Sequence, residues 1–330
     1  MNIPTSSLPP SADAVPLDPL LRGDIAARRA RPPYRKLGLQ EVRRIFRETQ
    51  LAGTPGPEIA IVEDDEIGGR TRTLPVRIYR PMTKRRAPLI VYMHGGGFVI
   101  GDLDTHDRNA RDIAAATGAV VMSVGYRLAP EYPFPAAVED ALLAVRVAPK
   151  KAVELGADAE RIFVAGDSAG ATLALIAALS FRDGSGPRIS GVIAVYPQID
   201  AAGSASASFR AFGDGSFGLS ADDIAWFREQ YRSEPNRPGD WRLAPGEVRD
   251  LAGLPPTLIV VAAYDALRDE GIAFAARLKE KGVPVELYVA PGVNHGFMGA
   301  PTPPPAVGDA LCIIRDWLAA TLLSNAPAQK

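Results

Sequence analysis

Cysteine is nearly absent from this chain. Cys312 is the only one in 330 residues, so no intrachain disulfide can form and a reducing compartment is expected. Histidine is almost as scarce: His94, His106 and His295 are the three, and with one cysteine they cannot build a usual structural zinc site. Net charge is small, formally −1, which removes any global argument for binding nucleic acid or an anionic membrane. No uninterrupted apolar run reaches spanning length, and no basic segment leading into an apolar stretch opens the chain. The expectation is a cytoplasmic protein with no nucleic-acid or membrane partner. What the chain does have is a 47% hydrophobic fraction and the length for one large α/β domain plus an accessory element.

Positive charge is spread unevenly. Arg22, Arg28, Arg29, Arg31, Arg35, Lys36, Arg43, Arg44 and Arg47 crowd one segment, which reads as the solvated faces of two surface helices. Those helices are expected from Asp18 to about Ala30 and from Gln40 to Leu51, after a Pro- and Ser-rich arm over 1–15. Strands at Ile59–Val62 and Thr73–Tyr79 flank Gly68-Gly69 and suggest an antiparallel pair at a sheet edge. From the apolar run Pro88–Met93 onward, strands and helices alternate, implying a mostly parallel sheet covered on both faces. The rhythm breaks at Ile199–Asp250, where aromatics sit among glycines and Ser220 looks like a helix N-cap. The organisation expected is an arm with two helices (1–55), a core in two parts (56–198 and 251–330) and a cap insertion (199–250). Cys312, in a final helix over about Pro305–Leu323, reads as core filler beside a stripe of Val307, Leu311, Ile314, Leu318 and Leu322.

The chemistry concentrates around Gly166-Asp167-Ser168-Ala169-Gly170. An apolar strand precedes it and an Ala- and Leu-rich helix follows. A strand turning into a helix through one residue holds that residue exposed and strained, and the flanking glycines leave room for the turn. Ser168 is thus a candidate nucleophile, and it needs a base. His295 lies in a loop just past the strand at Val285–Val289, downstream of the serine, whereas His94 and His106 precede it. Asp265 follows the strand Pro256–Ala262 almost directly and is the candidate to orient the imidazole. Asp269 and Glu270 are rivals, but they open the next helix, where acidic residues suit the dipole. His94-Gly95-Gly96-Gly97-Phe98 supplies consecutive glycines whose N–H groups can converge on an oxyanion. Neither of the common glycine-rich nucleotide-binding patterns fits there.

Together these segments, with Tyr126-Arg-Leu-Ala-Pro-Glu131, Asp265-Ala-Leu-Arg-Asp-Glu-Gly271 and His295-Gly-Phe297, resemble the bacterial esterases of the hormone-sensitive-lipase-like family. The resemblance covers about 16–323 and implies an α/β-hydrolase fold: a mostly parallel sheet, helices on both faces and a helical cap. It makes the helices of the N-terminal segment (1–55) part of that cap, together with the insertion. It implies Ser168 as nucleophile, His295 as base and Asp265 as acid, with oxyanion donors at Gly96, Gly97 and Ala169. It leaves His94 a structural residue and calls for no metal and no organic cofactor. The chain departs from the family at Ala171, where a second glycine is usual and the extra methyl would narrow the site, and at Ala266, where proline is usual. Phe98, Phe212, Phe217 and Phe227 are the candidates to contact substrate. The expected activity is hydrolysis of small short-to-medium acyl esters through an acyl-enzyme, with a homodimer left open as the assembly. An amidase or carbamate hydrolase on the same triad is the alternative. A binding receptor like the similar plant gibberellin receptors fits less well, because such receptors lose the histidine present here as His295.

Overall fold

The computed structural model describes residues 15–69, 72–82, 86–200, 206–232 and 239–324. Most of the expected N-terminal arm lies outside the described residues. Three helices come first: α1 (Pro19–Arg29), α2 (Tyr34–Leu37) and α3 (Leu39–Leu51). The core then runs β1 (Ile61–Gly69), β2 (Arg72–Arg80), β3 (Pro88–Met93), α4 (Asp107–Thr117), β4 (Val120–Val124), α5 (Ala136–Glu154), β5 (Asp158–Asp167), α6 (Ala169–Phe181) and β6 (Gly191–Val195). Two insert helices follow, α7 (Ala207–Phe212) and α8 (Ala221–Tyr231), and the core closes with β7 (Thr257–Tyr264), α9 (Arg268–Glu280), β8 (Val285–Asn294) and α10 (Pro305–Ser324).

These strands form an eight-stranded sheet in the order β1-β2-β4-β3-β5-β6-β7-β8. The β1–β2 and β2–β4 pairs are antiparallel and the rest parallel, which is the fold class expected. Every residue of β3 is buried, because the two faces of the sheet carry separate layers. Leu89, Val91 and Met93 join the cluster built with α5, α6 and α9, while Ile90 and Tyr92 face the cluster built with α4 and α10. Each such side chain contributes about 1.5–3 kcal/mol when fully buried, so the centre of the sheet is the most strongly held part of the molecule. Apart from Ser180, all of α6 is buried. Its small residues let it lie close to the strands, and a Cβ on Gly170 would fall 2.0 Å from the Met93 carbonyl oxygen.

Four local expectations are corrected. The first strand continues to Gly69 through Glu63-Asp64-Asp65-Glu66, paired residue for residue with β2 although it lacks apolar alternation. An edge strand with one solvated face can be acidic. Cys312 is exposed: the buried stripe of α10 is Ala306, Val307, Ala310, Ile314, Trp317, Leu318 and Thr321, and position 312 lies off it. Leu311 and Leu322 are only partly buried. Helices α2 and α7 are new, both too short for a periodic signal. The N-cap expected at Ser220 is present and forms a capping box, with Ser220 and Asp223 each bonding the other's backbone N–H.

Candidate active site

At the carboxyl end of β5 the chain turns directly into α6 through Ser168, at φ 52° and ψ −120°. A non-glycine residue at positive φ is strained, and the surrounding packing holds it there. A Cβ on Gly166 would lie 2.3 Å from the Gly170 carbonyl carbon, so the turn requires both glycines. Ala171 is fully buried and belongs to the core beneath α6, not to the lining of the cavity described below; its methyl does not narrow the site.

Two further strand ends deliver partners to Ser168. His295, just after β8, places Nε2 2.9 Å from Ser168 Oγ and Nδ1 2.7 Å from Asp265 Oδ2. Asp265, just after β7, is buried, and its second oxygen accepts the Leu267 N–H at 2.9 Å. The rival carboxylates are engaged elsewhere. Asp269 accepts the Ser208 N–H at 2.8 Å, and Glu270 accepts the Ile199 N–H at 2.7 Å. Burial pushes the Glu270 carboxyl up to about 8. Such a serine–imidazole–carboxylate chain lets the imidazole take the hydroxyl proton while the carboxylate steadies the resulting cation.

The glycine run after β3 sits against this group. Gly96 and Gly97 have positive φ (116° and 60°), and both line the cavity that holds Ser168. A Cβ on Gly96 would fall 2.1 Å from the Ile100 carbonyl oxygen, so the loop can close only as glycine. Asp167 pins it from below: Oδ1 accepts the Tyr92 hydroxyl at 2.5 Å and the Gly95 N–H at 3.1 Å. His94 is a buried strut, stacked 4.2 Å from Tyr126 and 5.1 Å from His106. Burial lowers both imidazoles to about 4. Ala169 opens α6, so its N–H belongs to the positive end of that helix dipole.

Over this floor lies a cavity of about 210 Å³. Its far walls come from Leu21 and Ile25 of α1, Tyr34 of α2, Phe46 of α3, and Ile224 and Phe227 of α8. Of the four aromatics expected to contact substrate, Phe227 alone lines it. The Phe98 ring stacks on Tyr231 with centroids 4.0 Å apart, while Phe212 and Phe217 cluster with Tyr264. Tyr34 and Phe46 were missed because helix periodicity alone does not reveal what a face packs against. The basic segment keeps the solvated faces expected of it at Arg22, Arg29, Arg31, Arg35, Lys36 and Arg44, all exposed, and several of its side chains also pair with other segments. Arg28 meets Asp223 at 3.0 Å and Arg35 grips Glu229 at 2.5 and 2.6 Å, both on α8. Arg43 binds Glu131 at 2.7 Å, and Arg47 binds Asp102 and Asp104. Among the described residues, no three His, Cys, Asp or Glu side chains are grouped to hold a metal ion, and no helix is long and apolar enough to cross a membrane.

A parallel-sheet core with a serine elbow, a glycine loop and a covered cavity defines a class, and the sequence comparison agrees with it. The family model described as alpha/beta hydrolase fold matches residues 90–299, and the chain belongs to that family, in its hormone-sensitive-lipase-like branch. Among similar proteins, the esterase LipI of Mycobacterium tuberculosis is 41% identical over 92% of this chain and 95% of its own length. The ethyl acetate hydrolase of Pseudomonas putida is 38% identical over 81% of this chain and 85% of its own. In three dimensions the hyperthermophilic esterase from Pyrobaculum calidifontis superposes with a TM-score of 0.85 at 38% identity, covering 93% of this chain and 99% of that one.

Proposed function

We propose that the chain is a serine carboxylester hydrolase for small esters, working through an acyl-enzyme on Ser168. The observation that carries this reading is the unbroken hydrogen-bonded chain from Ser168 through His295 to Asp265 at the floor of a covered cavity. His295 Nε2 takes the hydroxyl proton as Ser168 Oγ attacks the ester carbonyl. The carbonyl oxygen becomes an oxyanion held by the N–H groups of Gly96, Gly97 and Ala169. Collapse breaks the bond to the alcohol oxygen, which leaves with the proton from His295. Water then adds to the acyl-enzyme with His295 again as base, releasing the acid and restoring the serine. We read the N-terminal helices and the insert over 199–250 as the roof of this site, and the single cysteine as fitting a cytoplasmic protein.

The roof also informs substrate size. Phe212, Trp226, Phe227 and Tyr231 of the insert are buried, and Phe217 is half-buried, so they pack inward and form no apolar rim for a lipid surface. Each acyl methylene that fits should add up to about 0.8 kcal/mol, with an optimum at about four to eight carbons and no gain beyond. Rates on p-nitrophenyl esters of increasing length test this, with Ser168→Ala as the blank. A maximum at palmitate, or activation at the lipid–water interface, would overturn the size assignment; turnover by Ser168→Ala would overturn the mechanism.

A further inference from the structure

The residues on either side of Asp265, and the one just before His295, are gripped by the insert. β7 ends at Tyr264, one residue before Asp265, and β8 ends at Asn294, one residue before His295. Tyr264 and Asn294 are partners across the β7–β8 ladder. Phe217 of the insert engages both. Its ring stacks on Tyr264 with centroids 4.8 Å apart and planes 12° from parallel, and its carbonyl accepts the Asn294 side-chain N–H at 2.8 Å. On the other side of Asp265, the Ser208 hydroxyl donates to the Ala266 carbonyl at 3.0 Å. Ser208 and Asp269 also exchange reciprocal bonds of 2.8 and 3.1 Å. The approach at Phe217 is close: the next residue, Gly218, has φ 109°, and a Cβ there would lie 2.9 Å from Asn294 Nδ2.

We propose that Phe217 is a positioning residue for the acid–base pair. By holding Tyr264 and Asn294 it keeps Asp265 and His295 in line with Ser168, so the insert sets turnover as well as roofing the cavity. This rests on the hydrolase reading above. The hydrogen-bonded chain spans 2.7 and 2.9 Å, and a misplacement of about 1 Å in such a group costs about 100-fold. Phe217 is absent from the cavity lining, so losing its ring removes no contact with substrate.

The test is kcat and KM for Phe217→Ala on p-nitrophenyl acetate, butyrate and octanoate, at a temperature well below unfolding. The expected result is a fall in kcat of about tenfold or more, alike for the three esters, with KM within about twofold. Phe217→Tyr, which keeps the stacked ring, should restore kcat. Asn294→Ala removes the bond to the Phe217 backbone carbonyl, a second contact that Phe217→Ala leaves intact, so it should lower kcat as well and the double variant should be slower than either single. If Phe217→Ala does not fold, Phe217→Leu decides the matter by the same readout, since Phe217 alone of the pair lies outside the cavity lining. An unchanged kcat on acetate, with KM rising as the acyl chain lengthens, would overturn the proposal and leave the insert as a roof alone. Turnover by Ser168→Ala would instead overturn the hydrolase reading beneath it.

Discussion

The floor and the roof of the cavity are held together by different physics. On the floor, Ser168, Asp265 and His295 each sit at the end of a parallel strand, and the groups supporting them are buried: Asp167 beneath the glycine loop, His94 between two rings, Asp265 on a backbone N–H. The roof is tied down partly by ion pairs between distant segments. Arg28 on Asp223 is 34% and 12% exposed, and Arg35 on Glu229 is 45% and 55% exposed. Buried packing of the first kind resists salt and tolerates little change. Exposed pairs of the second kind are worth about 0–1 kcal/mol each and are screened by salt. The floor is built to hold atoms in register, and the ion pairs of the roof to hold a lid in place.

Substitutions in the two layers should differ accordingly. The largest effects belong to the floor: Ser168→Ala and His295→Ala should each lower kcat/KM by about 10⁴-fold or more, and the double variant should be no worse, because the groups act as one unit. Steady-state rates on a butyrate ester check this. Asp265→Asn should follow, with a loss of about 10³–10⁴-fold from a misdirected imidazole. Asp269→Asn should cost only severalfold, since an amide oxygen can still accept the Ser208 N–H. Effects of the roof's ion pairs should be far smaller. Arg35→Ala, or raised salt, should increase KM for octanoate by about fivefold at most while leaving kcat on acetate unchanged. The smallest effect should be on stability alone. The Glu270 carboxyl rises from its ordinary 4.5 to about 8 in the folded protein, which therefore binds the proton more tightly than the unfolded chain. Its contribution is complete below about 4.5 and is lost as pH rises toward about 8. Glu270→Gln should flatten that decline, seen as a gain in Tm relative to the parent at pH 8–9 and little gain at pH 5.

The same contrast explains what could be read from the sequence. The sheet, the elbow at Ser168 and the loops carrying Asp265 and His295 were legible, because each depends on a short stretch whose pattern states its own conformation. Ser220 was legible as an N-cap for the same reason. The roof was not. Whether Arg28 faces water or Asp223, 195 positions away, depends on a fold that brings two segments together. Phe217 and Phe212 were expected at the substrate because they are aromatic and lie in the insert, yet they pack on Tyr264. Cys312 faces solvent because the buried stripe of α10 passes it by, and a sequence reading that places the stripe slightly wrong loses it.

The central claim is that Ser168 carries the acyl group, and rapid mixing with a p-nitrophenyl ester tests it most directly. That leaving group departs easily, so the acyl-enzyme should accumulate while water slowly removes it. A burst of p-nitrophenol of about one equivalent per chain is expected, with the acyl group found after acid quench on the peptide containing Ser168. Ser168→Ala and His295→Ala should give no burst and no label. Label on another residue, or a burst that survives Ser168→Ala, would contradict the claim.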